Sequence, residues 1–337
     1  MAGNNEKKRF IAGCGSVNVD LIFSGIEALP EEGEELYGKN FSMMLGGGAP
    51  GTLILLGRLG IPVRLQTGLG NDMFSRFAAS ELEKENVTLH NLSRGTEGIP
   101  VNISCVAVTP RDRTFLSYTD GIRRTEETAR MIYESSHGAE ICIMDTRYAD
   151  VYEQLKKEGS RIALDMGWSE SLSLENCRPL LELADYYTPN RKEALKITGC
   201  GSPRDAAKVL AEFFDTVVIK LDAEGCLIYK EGEYFTVPVI PGIQAKDSTG
   251  AGDAFLAGYL YGIYHGFETR KAVLLGNLTG GKCVSEPGCL TASYAEQELL
   301  ADAEKYAALM VLLFYGLRVG TGRKGFIFKN AGAHHAP

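Results

Sequence analysis

The sequence predicts an α/β fold: a three-layer α/β/α body on a mostly parallel central sheet, with a small second β-sheet beside it. Three observations carry this. From "EICIMD" (140–145) to "TVVIKL" (216–221), short apolar runs alternate with helical stretches, the order that lays strands parallel and covers both faces with helices. At about 17–45 and 99–120 strands occur without that rhythm, and the two segments can pair into a small separate sheet, a lid. The chain then closes on helical stretches at 250–266, 268–283 and about 294–317. No repeat and no Gly/Ser linker cuts it, so one domain is expected over 1–318, followed by a tail at 319–337.

Taken in order, "RFIAGCGSVNVDLIF" reads as a buried strand, a glycine break and a second strand. "ELYGKNFSMML" alternates loosely as further strand, and "GAPGTLILLGRLG" has helical apolar spacing stopped by Gly60. "PVRLQTGLG" is strand, "DMFSRFAASELEKE" a helix begun by an Asp, and "VNISCVAVTP" and "RTFLSYTDG" are strands joined by a turn. Strand and helix then alternate through "YADVYEQLKKEG", "RIALDMG", "LENCRPLLELA", "DYYTPN", "RKEALKITG" and "SPRDAAKVLAEFF". "GCLIYKEGEYFTVPV" is a hairpin turning at Lys230-Glu231-Gly232.

Composition narrows the function. The 337 residues are 45% hydrophobic and 23% charged, as in soluble globular proteins. A net charge of −8 argues against a general nucleic-acid binder, because nothing in the balance would neutralise phosphates. The N-terminus lacks the apolar core of a signal peptide, and "AALMVLLFYGL" (307–317) is too short to span a bilayer and reads as a buried helix. Eight scattered cysteines without CxxC fit free thiols in a reducing cytoplasm, and five histidines show no metal-ligand spacing.

The chemistry gathers in "AKDSTGAGDAFLAGYLYGIYHG" (245–266), where Gly250-Ala251-Gly252-Asp253 opens a helix. Small residues at a helix start let an anion approach the unpaired backbone N–H groups. Asp253 has two readings: a helix-start acid, or a general base that takes a hydroxyl proton while the amides hold charge on a transferred phosphoryl group. Asn18 and Asp20 lie two apart after a buried strand, on one face, and read either as turn residues or as a site.

"DSTGAGDAF" resembles the C-terminal signature D-T-x-G-A-G-D of the ribokinase-like carbohydrate kinases, the phosphofructokinase-B family, with Ser248 in the Thr place. "GGGAPGTLILLGRLGIPVRLQTGLGNDMFSRF" (46–77) resembles the family's other signature. "GSVNVDLI" (15–22), "TPNRKEALKITG" (188–199) and "VVIKLDAEGCLI" (217–228) follow the same order, the last with Leu221-Asp222 shifting its pattern. The resemblance covers about 9–300.

It implies a ribokinase-like fold and a kinase that uses ATP and Mg²⁺. In it Asp253 matches the catalytic base and Gly250, Ala251 and Gly252 the anion hole. Asn18, Asp20, Gly47 and Gly48 match sugar contacts, and Thr52 stands where the family usually has a sugar-binding Asn. Asn190 and Glu193 match a pair that organises Mg²⁺ through water, and Lys220, Gly225 and Asn277 fall along the nucleotide groove. Asp247, Thr249 and Gly288 match a monovalent-cation site for K⁺. Gly167, beside Trp168, replaces a polar group common in relatives.

Other motifs read as decoys. "GNLTGGKC" (276–283) nearly spells a phosphate-binding loop, but Cys283 replaces the hydroxyl and no strand precedes it. "GCGSVN" (13–18) is a broken GxGxxG, and "RDR" (111–113) reads as a solvated turn able to steer a phosphate or carboxylate. The expected protein is a cytoplasmic ATP-dependent kinase acting on a primary hydroxyl of a small sugar such as ribose, fructose or a keto-sugar acid. It binds no nucleic acid or membrane, and the resemblance implies a homodimer through the lid. The alternatives are a nucleoside kinase and a catalytically inactive sugar-binding regulator.

Overall fold

The computed structural model describes residues 9–93 and 98–319, with side chains to residue 307. Six strands form the main sheet: β1 (Ile11–Cys14), β4 (Val63–Thr67), β5 (Thr88–Asn91), β8 (Ile141–Met144), β9 (Arg161–Leu164) and β10 (Tyr186–Tyr187). Their order is β10-β9-β8-β1-β4-β5 and every pairing is parallel.

Alternation along these strands builds the layers, because successive side chains face opposite ways. Ile11, Ile141, Ile143 and Ala163 enter one core. That core holds α1 (Ala49–Arg58), α2 (Met73–Leu82), α8 (Ala251–Tyr264), α9 (Thr269–Val284) and the start of α10 (Glu296–Val319). Ala12, Cys142, Met144 and Ile162 enter the other, against α3 (Glu126–Ser136), α4 (Ala149–Lys157), α5 (Leu174–Leu183), α6 (Arg191–Thr198) and α7 (Pro203–Leu210).

The small sheet has the order β3-β2-β6-β7, from β2 (Asn18–Ser24), β3 (Asn40–Leu45), β6 (Asn102–Val108) and β7 (Arg113–Tyr118). The two expected segments meet through the parallel pair β2–β6, with antiparallel partners outside. Phe23, Phe41, Phe115, Leu116 and Tyr118 on this sheet are exposed.

Some elements differ from expectation. β11 (Thr216–Lys220) runs antiparallel to β12 (Cys226–Lys230), which pairs with β13 (Glu233–Val237). This edge sheet meets the end of the parallel run through one bridge, Asn190 to Lys220. The hairpin turns where Glu231 and Gly232 both take positive φ, the geometry of a type I′ turn. β3 starts only at Asn40, because residues 31–40 are all exposed and no burial holds them extended. β5 and α3 were not expected. α3 is closed by a capping box of Thr125 with Thr128, and Thr at the third helical position hides the usual Glu/Gln signal. The tail at 320–337 lies outside the described residues, as do most of the side chains of 307–317. Among the described residues no helix is long and apolar enough to cross a membrane.

Candidate active site

From β1 the order steps to β4 and β5 on one side and to β8, β9 and β10 on the other, so the direction of winding reverses between β1 and β8. Ligands of open α/β sheets bind beyond the carboxyl ends of the strands at such a point. Here Gly15 and Ser16 leave β1, Asp145 leaves β8, and Asp165 follows β9. All four line a cleft of about 470 Å³ with Asn18, Gly47, Gly48, Asn102, Arg147 and others. A second cleft of about 530 Å³ lies on the other side of α8's first turn, lined by Asn190, Lys220, Gly225, Phe255, Asn277 and by Ala251 and Gly252 themselves.

Asp253 stands between the two. One of its oxygens, Oδ2, accepts the Gly48 N–H at 2.8 Å. A side chain at Gly47 would collide with the same oxygen, so only glycine lets the loop lie on the carboxylate. Burial raises the Asp253 pKa to about 6, with the charge of Asp165 adding to it; the Gly48 N–H and Lys220 work the other way. Part of the residue still meets solvent.

α8 begins without a side-chain cap: Gly250 holds φ +74° at its N-cap. A Cβ there would be strained by the left-handed backbone and would run into Cys289. The first-turn N–H groups of a helix have no acceptor within it. The Lys220 ammonium lies 3.4 Å from where a Gly252 Cβ would stand, which puts a positive charge beside this helix end.

The remaining expected residues divide. Asn18 lines the first cleft, where its Oδ1 accepts from Asn102 Nδ2 at 2.7 Å. Asp20 is buried behind Gly46; burial lifts its pKa to about 6 although Ser104 hydrogen-bonds to it. Thr52 is fully buried in α1, and its hydroxyl donates to the Asp253 carbonyl at 3.3 Å, so it braces α8 and does not face the cleft. Asn190 caps α6: its Oδ1 accepts the Glu193 N–H at 2.9 Å while Glu193 Oε2 accepts the Asn190 N–H at 2.8 Å. That reciprocal cap uses only one Glu193 oxygen, and the other could hold a metal-bound water. Asn277 spends its amide on the carbonyls of Val237 (3.1 Å) and Pro238 (2.9 Å) and accepts from Cys226 Sγ, shaping the wall of the large cleft. Gly225 packs so closely on Val237 and Pro238 that no side chain fits.

Asp247, Thr249 and Gly288 do meet, but they bind one another. Asp247 Oδ1 accepts from Thr249 N (2.8 Å) and Thr249 Oγ1 (2.7 Å), and Oδ2 accepts the Gly288 N–H at 2.9 Å. Arg113 completes the group with an ion pair to Asp247 and a 3.0 Å bond from Nη2 to Ser248 Oγ. A cation site needs inward-facing oxygens. Here N–H and O–H groups and the Arg113 guanidinium occupy the Asp247 carboxylate, which leaves it no oxygen to offer a monovalent ion.

Sequence reasoning missed Asp145, Asp165 and Arg147, and it pointed to Arg113 only as part of the RDR turn. Two of them had a signal, since Asp145 and Asp165 each follow directly on the end of a buried parallel strand. Arg147 is held by Asp145 and by the Ile122 carbonyl at 2.8 Å. Arg113 had been read as part of a solvated turn, yet its side chain is only 20% exposed.

The family pattern described as pfkB family carbohydrate kinase matches residues 8–296. The chain is 25% identical to a ribokinase of Haemophilus influenzae over 304 residues, 86% of this chain and 97% of that one. It is 24% identical to a 5-dehydro-2-deoxygluconokinase of Clostridium tetani over 325 residues, 88% and 93% of the two chains. Its fold matches an Arabidopsis thaliana ribokinase complexed with ribose and ATP at TM-score 0.73 and 21% identity, covering 88% of this chain and 98% of that one. It also matches a nucleoside kinase of Methanocaldococcus jannaschii at TM-score 0.72 and 20% identity, again over 88% and 98%.

Proposed function

The chain belongs to the pfkB family of carbohydrate kinases, and on that premise we propose that it moves the γ-phosphoryl group of ATP to a hydroxyl of a small neutral sugar, with Asp253 as general base. The observation that carries this is the position of Asp253, with its carboxylate on the Gly47–Gly48 side and its helix start on the other cleft.

The acceptor binds in the cleft of Asn18, Gly47 and Gly48, its reacting hydroxyl at Asp253. With a pKa of about 6 the carboxylate is mostly ionised at neutral pH, yet basic enough to take the proton. The hydroxyl oxygen attacks the γ-phosphorus, the bond from that phosphorus to the β-phosphate oxygen breaks, ADP leaves, and the proton ends on Asp253. The amides at 250–252 and Lys220 stabilise the transferring group. Glu193 would hold a water of Mg²⁺, which when bound would supply charge neutralisation on the phosphates.

Charge favours a neutral acceptor over a keto-sugar acid. Asp145 and Asp165 line the acceptor cleft, and its one lining arginine, Arg147, is already paired with Asp145. A nucleoside is the second reading, since solved relatives include nucleoside kinases. Against it, no aromatic ring lines this cleft among the described residues, so a base has no stacking partner. An ADP-release screen over pentoses, ketohexoses, aldonates and nucleosides decides. Turnover confined to neutral sugars supports the proposal, the best turnover on an aldonate or a nucleoside corrects the acceptor, and sugar binding by calorimetry with no ADP release from any acceptor points to an inactive regulator.

A cytoplasmic location is part of the proposal, supported by eight cysteines that form no disulfide. A homodimer through the small sheet is part of the proposal, supported by the exposed Phe23, Phe41 and Leu116, which the register places on one face; light scattering on the eluting protein tests this, and a 36.6 kDa particle would refute it.

A further inference from the structure

Arg113 is the first residue of β7, in the small sheet, yet its guanidinium reaches the segment that leads into Gly250. We propose that Arg113 is a built-in replacement for a monovalent cation: it neutralises Asp247 and fixes the approach to the anion hole, so phosphoryl transfer needs no added K⁺. This rests on the kinase reading above.

Four donors converge on the Asp247 carboxylate: the Thr249 N–H and hydroxyl, the Gly288 N–H and Arg113. That is about the full acceptor capacity of a carboxylate. The Arg113 guanidinium pairs directly with this carboxylate and supplies the charge opposite to it. With side chains only 20% and 14% exposed, the pair is shielded from the screening that weakens surface ion pairs. A second cation at this carboxylate would face the guanidinium directly. Nη2 also holds Ser248 Oγ, so one side chain grips two consecutive residues of the loop that presents Thr249 and Gly250. Arg113 is thus a positioning residue that acts through this loop.

The test compares wild type, Arg113→Ala and Arg113→Lys in KCl, NaCl and tetramethylammonium chloride at one ionic strength. It measures ADP release with ATP and the acceptor found by screening, and thermal unfolding without ligands. Wild type is expected to show the same rate and the same melting temperature in all three salts. Arg113→Ala should lose about 10- to 100-fold in rate in tetramethylammonium, the scale of one charge-assisted hydrogen-bond set, and regain part of it with KCl or guanidinium. Arg113→Lys should keep intermediate activity, and it carries the test if the alanine variant does not fold. The proposal is overturned if KCl raises the wild-type rate or melting temperature over tetramethylammonium, or if Arg113→Ala matches wild type without K⁺. Should no acceptor be phosphorylated in any salt, the kinase reading fails instead, while the melting comparison still judges the cation.

Discussion

Two helices of this protein begin in the same unusual way and meet at the same point. α1 starts from Gly48 with φ +81° and α8 from Gly250 with φ +74°, and neither has a side-chain cap. Each therefore presents a positive helix end and first-turn N–H groups without a partner inside the helix, though Ala251 N–H donates to the Ser248 carbonyl at 3.3 Å. They differ in what answers that charge. α1 has no acid in its first turn and borrows one, since Gly48 N–H is met by Asp253 from the opposite helix. α8 owns Asp253 but turns it away, and its own amides face a cleft that holds Lys220. One helix end is thus occupied by the Asp253 carboxylate, while the other faces the cleft of Lys220. Both helices open on a positive-φ glycine, but ψ is −166° at Gly48 and 1° at Gly250, and one carboxylate is shared unequally between the two ends.

Removing that carboxylate should have the largest effect. Asp253→Asn keeps an oxygen for Gly48 but cannot take a proton, and turnover is expected to fall by about 10²- to 10⁴-fold in initial-rate assays, with acceptor KM little changed. Wild-type turnover should also decline as pH drops through about 6, when Asp253 protonates, and the variant should lose that limb. The sign for stability is opposite. A carboxyl whose folded pKa is raised above its unfolded value favours the folded state more as pH falls toward 6 and below. The variant's melting temperature should accordingly depend less on pH across that window.

The two glycine loops separate next. Gly47→Ala places a methyl on the Asp253 oxygen without demanding a left-handed backbone, so it should reduce kcat while the fold holds. Gly250→Ala meets both the backbone strain and Cys289 and should lower the melting temperature as well. The smallest change is expected from Gly252→Ala. Its methyl would meet only the end of the flexible Lys220 side chain, and a modest rise in KM for ATP is the readout.

Much of this was legible in the sequence. The parallel body followed from alternation of apolar runs with helices, and the small sheet from two strand-only segments, because burial on two faces and burial on one leave different patterns. Asp253 and its glycines stood out because helix-start chemistry is local. What stayed hidden depends on partners far away in sequence. Thr52 was expected at the sugar, but its hydroxyl is consumed by α8. Arg113 looked like a solvated turn because nothing near it in the chain announces Asp247, 134 residues later. Asp145 and Asp165 become a site only when β8 and β9 lie side by side.

The bond from Gly48 to Asp253 spans 205 residues, and this has a consequence for how the protein is made. At ordinary ribosomal speeds of about 5–20 residues per second, α1 waits roughly 10–40 s for α8 to appear. Leu53, Ile54 and Leu56, all buried in the finished core that α8 completes, stay without that cover during the wait. The nascent chain is therefore a natural client for chaperones over this interval. The element that covers those side chains also brings Asp253 to Gly48, so the core and the candidate site are completed together.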